Sequence, residues 1–496
     1  MNATGIQPAP MPAGFNVGEV SVPPLATRHS PLATVQPPLA TGHPPLATSH
    51  PVDKYDAPAA LGNQARKRFH VMVKPGSSTC NLDCKYCFYL SKETLPNGPG
   101  VGRMSDETLE KFIQQYIAGV TGPEVVFSWQ GGEPTLMGLE FFRKVVALEA
   151  KYKKPFQVVQ NDLQTNGTLI NEEWCAFLKE NRFLVGLSID GPRELHDQYR
   201  VTKGGRPTFD KVFNTVKLFQ RFGVPFNTLT CVNRHNARKP LDVYRFLRGE
   251  VGSTYMQFIP IVEYQGFEKT APHKWNNDAL SRDGEPEARP GHPHSIVTDW
   301  SVDPEDWGYF LSKTFDEWRR NDLGKVLVNH FETLVSQRMG RGSQICIYGE
   351  FCGKGLAVEH NGGVYSCDHY VYPEYRVGNI KDSALDSQAF SRTQVKFGYA
   401  KNETLPAYCR KCPYLTDCWG ECPKNRIIRT PDGEPGPHPQ PLSHRMGEGG
   451  RRPGEGEPGL NYLCRGLKKF FAHAIPEVDR IVADLRKQPI QPRRRL

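Results

Sequence analysis

Thr79-Cys80-Asn81-Leu82-Asp83-Cys84-Lys85-Tyr86-Cys87-Phe88-Tyr89 sets three cysteines in a C-x3-C-x2-C pattern. The stretch follows a short apolar strand, His70-Val71-Met72-Val73, which ends in Lys74-Pro75-Gly76. Thiolates this close reach one soft metal centre from a single loop. A mononuclear zinc or a simple electron-transfer cluster takes four protein ligands. Three ligands point instead to a 4Fe-4S cluster with one iron open to a small molecule. A zinc site with a distant fourth ligand competes, because soft thiolates accept either metal.

From His70 onward, strands alternate with helices. The pattern predicts strands over 70–74, 124–129, 156–161, 184–189, 225–231 and 255–260. Helices are predicted near 105–119, 138–151, 171–180, 208–222 and 237–249. The strands are short and rich in Val, Ile and Phe, as in sheets buried on both faces. Ser105 before Asp106-Glu107 reads as an N-cap with an acidic first turn. Six such alternations imply a parallel sheet curled into a closed or partial barrel.

Polar motifs sit just after these strands. The cysteine loop follows the first, Gln130-Gly131-Gly132-Glu133-Pro134-Thr135 the second, and Gln164-Thr165-Asn166-Gly167 the third. Ser188 and Asp190-Gly191-Pro192 end the fourth. In such barrels the C-terminal rim of the strands carries the active site. Each motif alone also reads as a tight loop needing Gly or Pro; together they mark one rim. The aromatics Trp307, Phe310, Phe315 and Trp318 of a helix over 304–321 are spaced as a core stripe.

A cysteine-rich module begins at Cys346, with Cys352 and Cys367, then Cys409, Cys412, Cys418 and Cys422, and finally Cys464. Strand-like segments flank Asn361-Gly362-Gly363 and predict a hairpin. Eight cysteines make two four-thiolate sites, which two zincs or two clusters satisfy. The upstream three-cysteine loop favours clusters. Cys175 and Cys231 read as small buried hydrophobes.

Composition frames these motifs. The chain has 496 residues, 38% of them hydrophobic, with Gly and Pro abundant. Residues 1–65 repeat P-L-A-T around prolines that no helix interior tolerates. They read as a disordered extension. An irregular insertion is expected at about 265–303, a low-complexity one at about 430–459, and a basic tail at 481–496. A barrel over 66–325 and a cysteine-rich domain over 326–480 remain. Lengthening a flexible loop costs only about 0.6 kcal/mol per doubling, so the second insertion need not break its site. There is no run of about twenty apolar residues and no charged-then-apolar leader. A cytoplasmic location is expected, where thirteen clustered cysteines are metal ligands and not disulfides. The net charge of +9 lies partly in Arg493-Arg494-Arg495 and reads as a solvated tail, with no nucleic acid or membrane as partner.

These motifs together resemble the anaerobic sulfatase-maturating enzymes, radical S-adenosylmethionine (SAM) proteins with a C-terminal SPASM domain. The resemblance spans about His70 to Pro476, outside the two insertions. It implies a partial (β/α)6 TIM-like barrel followed by a small cysteine-rich SPASM domain with a β-hairpin. It implies three 4Fe-4S clusters with SAM as cosubstrate. Cys80, Cys84 and Cys87 would hold the first. Cys346, Cys352, Cys367 and Cys422 would hold one auxiliary cluster, and Cys409, Cys412, Cys418 and Cys464 the other. The implied reaction oxidises a cysteine or serine of a sulfatase, in a C/S-x-P/A-x-R motif, to Cα-formylglycine. A low-potential donor of the flavodoxin or ferredoxin class supplies electrons to a monomeric enzyme.

Roles for single residues follow. Gly131 and Gly132 let backbone approach SAM, Glu133 accepts from its ammonium, Ser188 bonds its ribose, and Arg200 pairs with its carboxylate. Tyr86 lies near the adenine. Tyr89 and Gln130 face the peptide. Asp368, next to Cys367, is the expected general base, its pKa raised by partial burial. Another SPASM peptide maturase, forming a thioether for example, would share every cluster ligand, and an iron–sulfur electron carrier would need no SAM rim. Asp368 and the Gln130-Gly131-Gly132-Glu133-Pro134 context separate the first reading from these.

Overall fold

The computed structural model describes residues 54–56, 68–272, 281–431 and 459–487. The P-L-A-T repeats, most of the second insertion and the basic tail beyond Lys487 lie outside the described residues.

The chain runs β1 (His70–Lys74), α1 (Asp106–Gly119), β2 (Glu124–Trp129), α2 (Leu139–Tyr152), β3 (Val158–Thr165), α3 (Glu172–Glu180), β4 (Leu184–Ser188), α4 (Phe209–Phe222), β5 (Phe226–Val232), α5 (Pro240–Gly249) and β6 (Tyr255–Pro260). Then come α6 (Pro304–Asn321), β7 (Leu327–Val328), α7 (Asn329–Arg338), β8 (Gly355–Glu359), β9 (Gly363–Tyr365), β10 (Arg376–Asn379), α8 (Arg392–Glu403) and α9 (Cys464–Lys487). Strands β1 to β7 pair in parallel, in chain order, as a partial barrel. Val71, Val73, Phe127, Leu163, Val185, Leu187 and Phe258 are all buried on the face that meets the helices, Phe127 against Phe112 and Tyr116 of α1 and Phe258 against Phe310 of α6. Ser105 caps α1 by accepting from the Thr108 N–H, as its acidic first turn predicts.

Three departures from the sequence reading matter. β3 begins two residues later than expected and runs on through Thr165, so Gln164 and Thr165 belong to the strand and not to its loop. The hairpin β8–β9 forms as expected, but β8 also pairs in parallel with β1 along its length. The cysteine-rich segment therefore continues the barrel sheet, in the order β10-β9-β8-β1. Third, Lys54-Tyr55-Asp56, inside the extension read as disordered, forms a turn against α8. The Tyr55 hydroxyl donates to Glu403 at 2.9 Å, its ring meets Tyr399 edge-on, and Asp56 pairs with Arg392.

Helix α9 has no counterpart in the predicted elements. It packs across α6 where Gly308 and Gly466 meet, since a Cβ on either would strike the other helix's backbone or its neighbour. Trp307, Phe310, Phe315 and Trp318 are fully buried beneath it, the core stripe their spacing predicts.

Candidate active site

The three-cysteine loop leaves β1 and is fastened on three sides. The Gly132 N–H donates to Ser77 O at 2.7 Å and the Glu133 N–H to Thr79 O at 2.8 Å. A Cβ on Gly132 would stand 2.0 Å from Thr79 O, so only glycine allows this contact. The glycines expected to admit a ligand thus first admit the cysteine loop itself. From β3, the Asn166 amide donates to Asn81 Oδ1 at 2.9 Å and lies 3.7 Å from Cys80 Sγ. On the third side the Asp83 N–H donates to Val201 O at 2.9 Å. Burial pushes the thiols of Cys80, Cys84 and Cys87 up, Cys80 to about 11, and Cys87 raises both Cys80 and Cys84 further. A set of mutually repelling, desolvated thiols suits a metal centre that removes their protons on binding.

The other rim residues cluster near this loop. Glu133 is buried and accepts from Thr135 N at 3.0 Å, Thr165 Oγ1 at 2.8 Å and Asn166 N at 2.7 Å. Burial still raises its pKa over the lowering by these donors. Gln130 and both glycines are half-buried, and Ser188 closes β4 and is buried. Arg200 forms an ion pair with Asp190, Nε to Oδ2 at 2.9 Å, and its guanidinium lies 5.5 Å from the centre of the Tyr86 ring. The Tyr86 hydroxyl donates to the same Asp190 oxygen. Asp190 is thus the post that orients both expected SAM contacts, a role its loop position did not reveal. Cys231 is no isolated hydrophobe: it packs with Cys84 and Tyr86, its N–H donates to Asp190 at 3.0 Å, and Arg200 reaches its sulfur at 3.7 Å. Cys175 is fully buried in the main core.

Asp368 faces this rim from the cysteine-rich side. It forms an ion pair with Lys74, the last residue of β1, whose side chain is buried. The β1–β8 register sets Lys74 beside Glu359. Tyr89 is buried, its hydroxyl donates to Glu359, and Lys74 Nζ lies 4.3 Å over its ring. The expected upward shift of Asp368 is reversed. Burial does push the carboxyl up, but Lys74, His369 and Lys92 outweigh it and hold the pKa below the usual value. Lys74 escaped the sequence reading because its partner lies in a short turn far along the chain.

The eight remaining cysteines separate in space. Cys409, Cys412, Cys418 and Cys464 line one apolar cavity of about 30 Å³ with Tyr408, Tyr414 and Phe471. Burial raises the pKa of Cys346, Cys352, Cys367 and Cys422; Cys346 raises the other three further, and Cys422 also raises Cys367. Cys418 and Cys422 are four residues apart yet face different sets. Trp419, Gly420 and Glu421 between them are all left-handed, with φ of 49°, 68° and 49°, which reverses the chain. The donors therefore fit two four-thiolate clusters and one three-thiolate cluster. Among the described residues, no helix is long and apolar enough to cross a membrane.

Comparison with known proteins agrees with this geometry. The Radical SAM superfamily matches residues 75–247, and the SPASM iron-sulfur cluster-binding domain matches 346–413. The chain is 41% identical to the serine-type anaerobic sulfatase-maturating enzyme of Bacteroides thetaiotaomicron, over 85% of this chain and 93% of that one. It is 32% identical to the cysteine-type enzyme of Clostridium perfringens, over 84% and 99%. The solved structure of native anSMEcpe with bound AdoMet and the Cp18Cys peptide superposes with a TM-score of 0.68 at 31% identity, covering 84% of this chain and 99% of that one. The chain belongs to the anaerobic sulfatase-maturating enzymes, radical SAM proteins that carry SAM and additional 4Fe-4S clusters in a SPASM domain.

Proposed function

We propose that this chain oxidises a cysteine or serine of a sulfatase peptide to Cα-formylglycine, with Asp368 as the base. The placement of Asp368 beside Cys367 and against Lys74, facing the SAM rim, carries the reading. Cys80, Cys84 and Cys87 would hold the cluster, which with SAM would supply the radical chemistry that removes hydrogen from the target Cβ. Arg200, steered by Asp190, meets the SAM carboxylate, and Tyr86 packs toward the adenine. Ser188 meets the ribose, while Glu133 with Gly131 and Gly132 forms the floor under the amino group. Gln130 bonds the peptide backbone, and Tyr89 forms the wall that fixes Lys74 behind it. Asp368 takes the thiol or hydroxyl proton, and Lys74 holds it ionised and aimed. The buried walls keep water from the radical. The peptide carries a C/S-x-P/A-x-R motif, a flavodoxin- or ferredoxin-class donor supplies electrons, and the enzyme works as a cytoplasmic monomer.

The test replaces Asp368 with Asn in the reconstituted, reduced enzyme and offers cysteine and serine peptides. The variant should keep its iron and still make 5′-deoxyadenosine, yet yield little formylglycine from either peptide. Near-normal formylglycine from a fully loaded variant removes Asp368 from the mechanism.

A further inference from the structure

Two cations are buried between the auxiliary cysteine sets, and neither belongs to the chemistry above. Lys401, on α8, is fully buried, and its ammonium donates to the carbonyls of Cys346 at 2.8 Å, Ile347 at 2.7 Å and Gly349. Arg426 is 1% exposed. Its guanidinium donates to Lys401 O at 2.8 Å, Thr404 Oγ1 at 3.1 Å, Trp419 O at 3.2 Å and Gly420 O at 3.3 Å. Every one of these acceptors is neutral. The acid of this region, Glu421, is taken by Asn425 at 3.0 Å and Asn461 at 2.6 Å.

Burying a cation against neutral partners is costly unless negative charge stands nearby. The charge at hand is that of the thiolates. Lys401 interacts with Cys346, Cys352 and Cys422. Arg426 interacts with Cys352 and Cys422 of one set and Cys409 of the other. A 4Fe-4S core held by four thiolates is a net anion in its oxidised form and gains one more negative charge on reduction. Cluster potentials respond to net charge and burial. A fixed, desolvated cation stabilises the reduced form more than the oxidised one.

We infer that Lys401 and Arg426 form a fixed cation layer between the two auxiliary cysteine sets, which raises the reduction potentials of the clusters those sets would hold.

The layer is tested without peptide, so its failure is distinct from failure of the Asp368 assignment. Full-length Lys401→Gln keeps amide donors for the carbonyls but loses the charge; Lys401→Arg keeps the charge. Each is reconstituted, assayed for iron and titrated potentiometrically with detection by electron paramagnetic resonance. Lys401→Gln should keep its iron and lower the midpoint of the Cys346 set. At the wild-type midpoint its reduced-to-oxidised ratio should fall about tenfold, a shift of about 59 mV for one electron. Lys401→Arg should stay at the wild-type value, and the three-cysteine cluster should not move in either. A fully loaded Lys401→Gln with the wild-type midpoint overturns the inference. So does an equal shift in Lys401→Arg, and so does loss of iron from Lys401→Gln, which would make the lysine a clamp for the Cys346 turn and nothing more.

Discussion

Glu149 makes the stability of the barrel depend on pH in a direction opposite to that of most carboxylates. It lies on α2 against β3 and is 5% exposed. Its Oε2 accepts from the Asn161 amide at 2.8 Å, and Asn161 Oδ1 accepts from Trp129 Nε1 at 2.7 Å. Its Oε1 is buried with no hydrogen-bond partner among the described residues. Burial pushes the carboxyl up from 4.5 to about 8, with the Asn161 bond opposing. A raised carboxyl binds its proton more tightly in the folded chain than in the unfolded one. Its stabilising contribution is therefore complete below about pH 4.5 and is lost as pH rises toward 8. At about 1.4 kcal/mol per pH unit, the interval sets a ceiling of about 5 kcal/mol. Glu149→Gln keeps the acceptor for Asn161 and carries no charge. Chemical denaturation of both proteins at pH 5, 6.5 and 8, in the same cluster state, measures the difference. The variant should gain on the wild type steadily as pH rises. A difference that stays constant from pH 5 to 8 would refute the reasoning.

Replacing Cys80, Cys84 and Cys87 with Ala should abolish 5′-deoxyadenosine formation, with or without peptide, and leave about eight of about twelve irons, by the arithmetic of fully ligated sites. Gly132→Ala should displace the cysteine loop, since the new Cβ would stand 2.0 Å from a backbone oxygen. Iron at that loop and SAM cleavage should fall together, at a stability cost of about 1–3 kcal/mol. A chain starting near Lys67 should keep all its clusters and peptide oxidation. Its melting temperature should drop by only a few degrees, because the lost contacts of Lys54, Tyr55 and Asp56 with α8 are exposed to water and screened by salt. Loss of peptide oxidation with clusters intact would show that the extension binds substrate.

How legible the molecule was depended on how local each signal is. Period and caps found the barrel strands and helices because buried residues such as Val71 and Phe127 and the cap Ser105 follow a pattern within one element. Cysteine spacing found the three-cysteine loop. It could not tell Cys418 from Cys422, since their separation rests on left-handed backbone at Trp419 and Glu421, residues that rarely adopt it. The β1–β8 pairing, the Lys74–Asp368 pair and the Tyr86–Asp190 hydrogen bond join residues far apart in the chain, and no window of sequence contains both partners. Lys401 and Arg426 were hidden for a further reason. A lysine or arginine reads as solvated surface, and only the thiolates around these two make their burial affordable.

The pairing of β1 with β8 also has a consequence for the order in which the protein is made. β1 carries the three-cysteine loop, yet one of its two edges waits for Gly355–Glu359, which leaves the ribosome last among the strands that flank it. An unpaired edge is open to other chains until its partner arrives. Non-local pairing of this kind is slow to form, and domains otherwise tend to fold from the N-terminus during synthesis. The nascent barrel should therefore expose a sticky edge beside three reduced thiols until the hairpin is complete. Cluster delivery before that moment would load a loop whose Lys74 end is not yet fixed, so maturation should begin only after translation has passed Asp368, the ion-pair partner of Lys74.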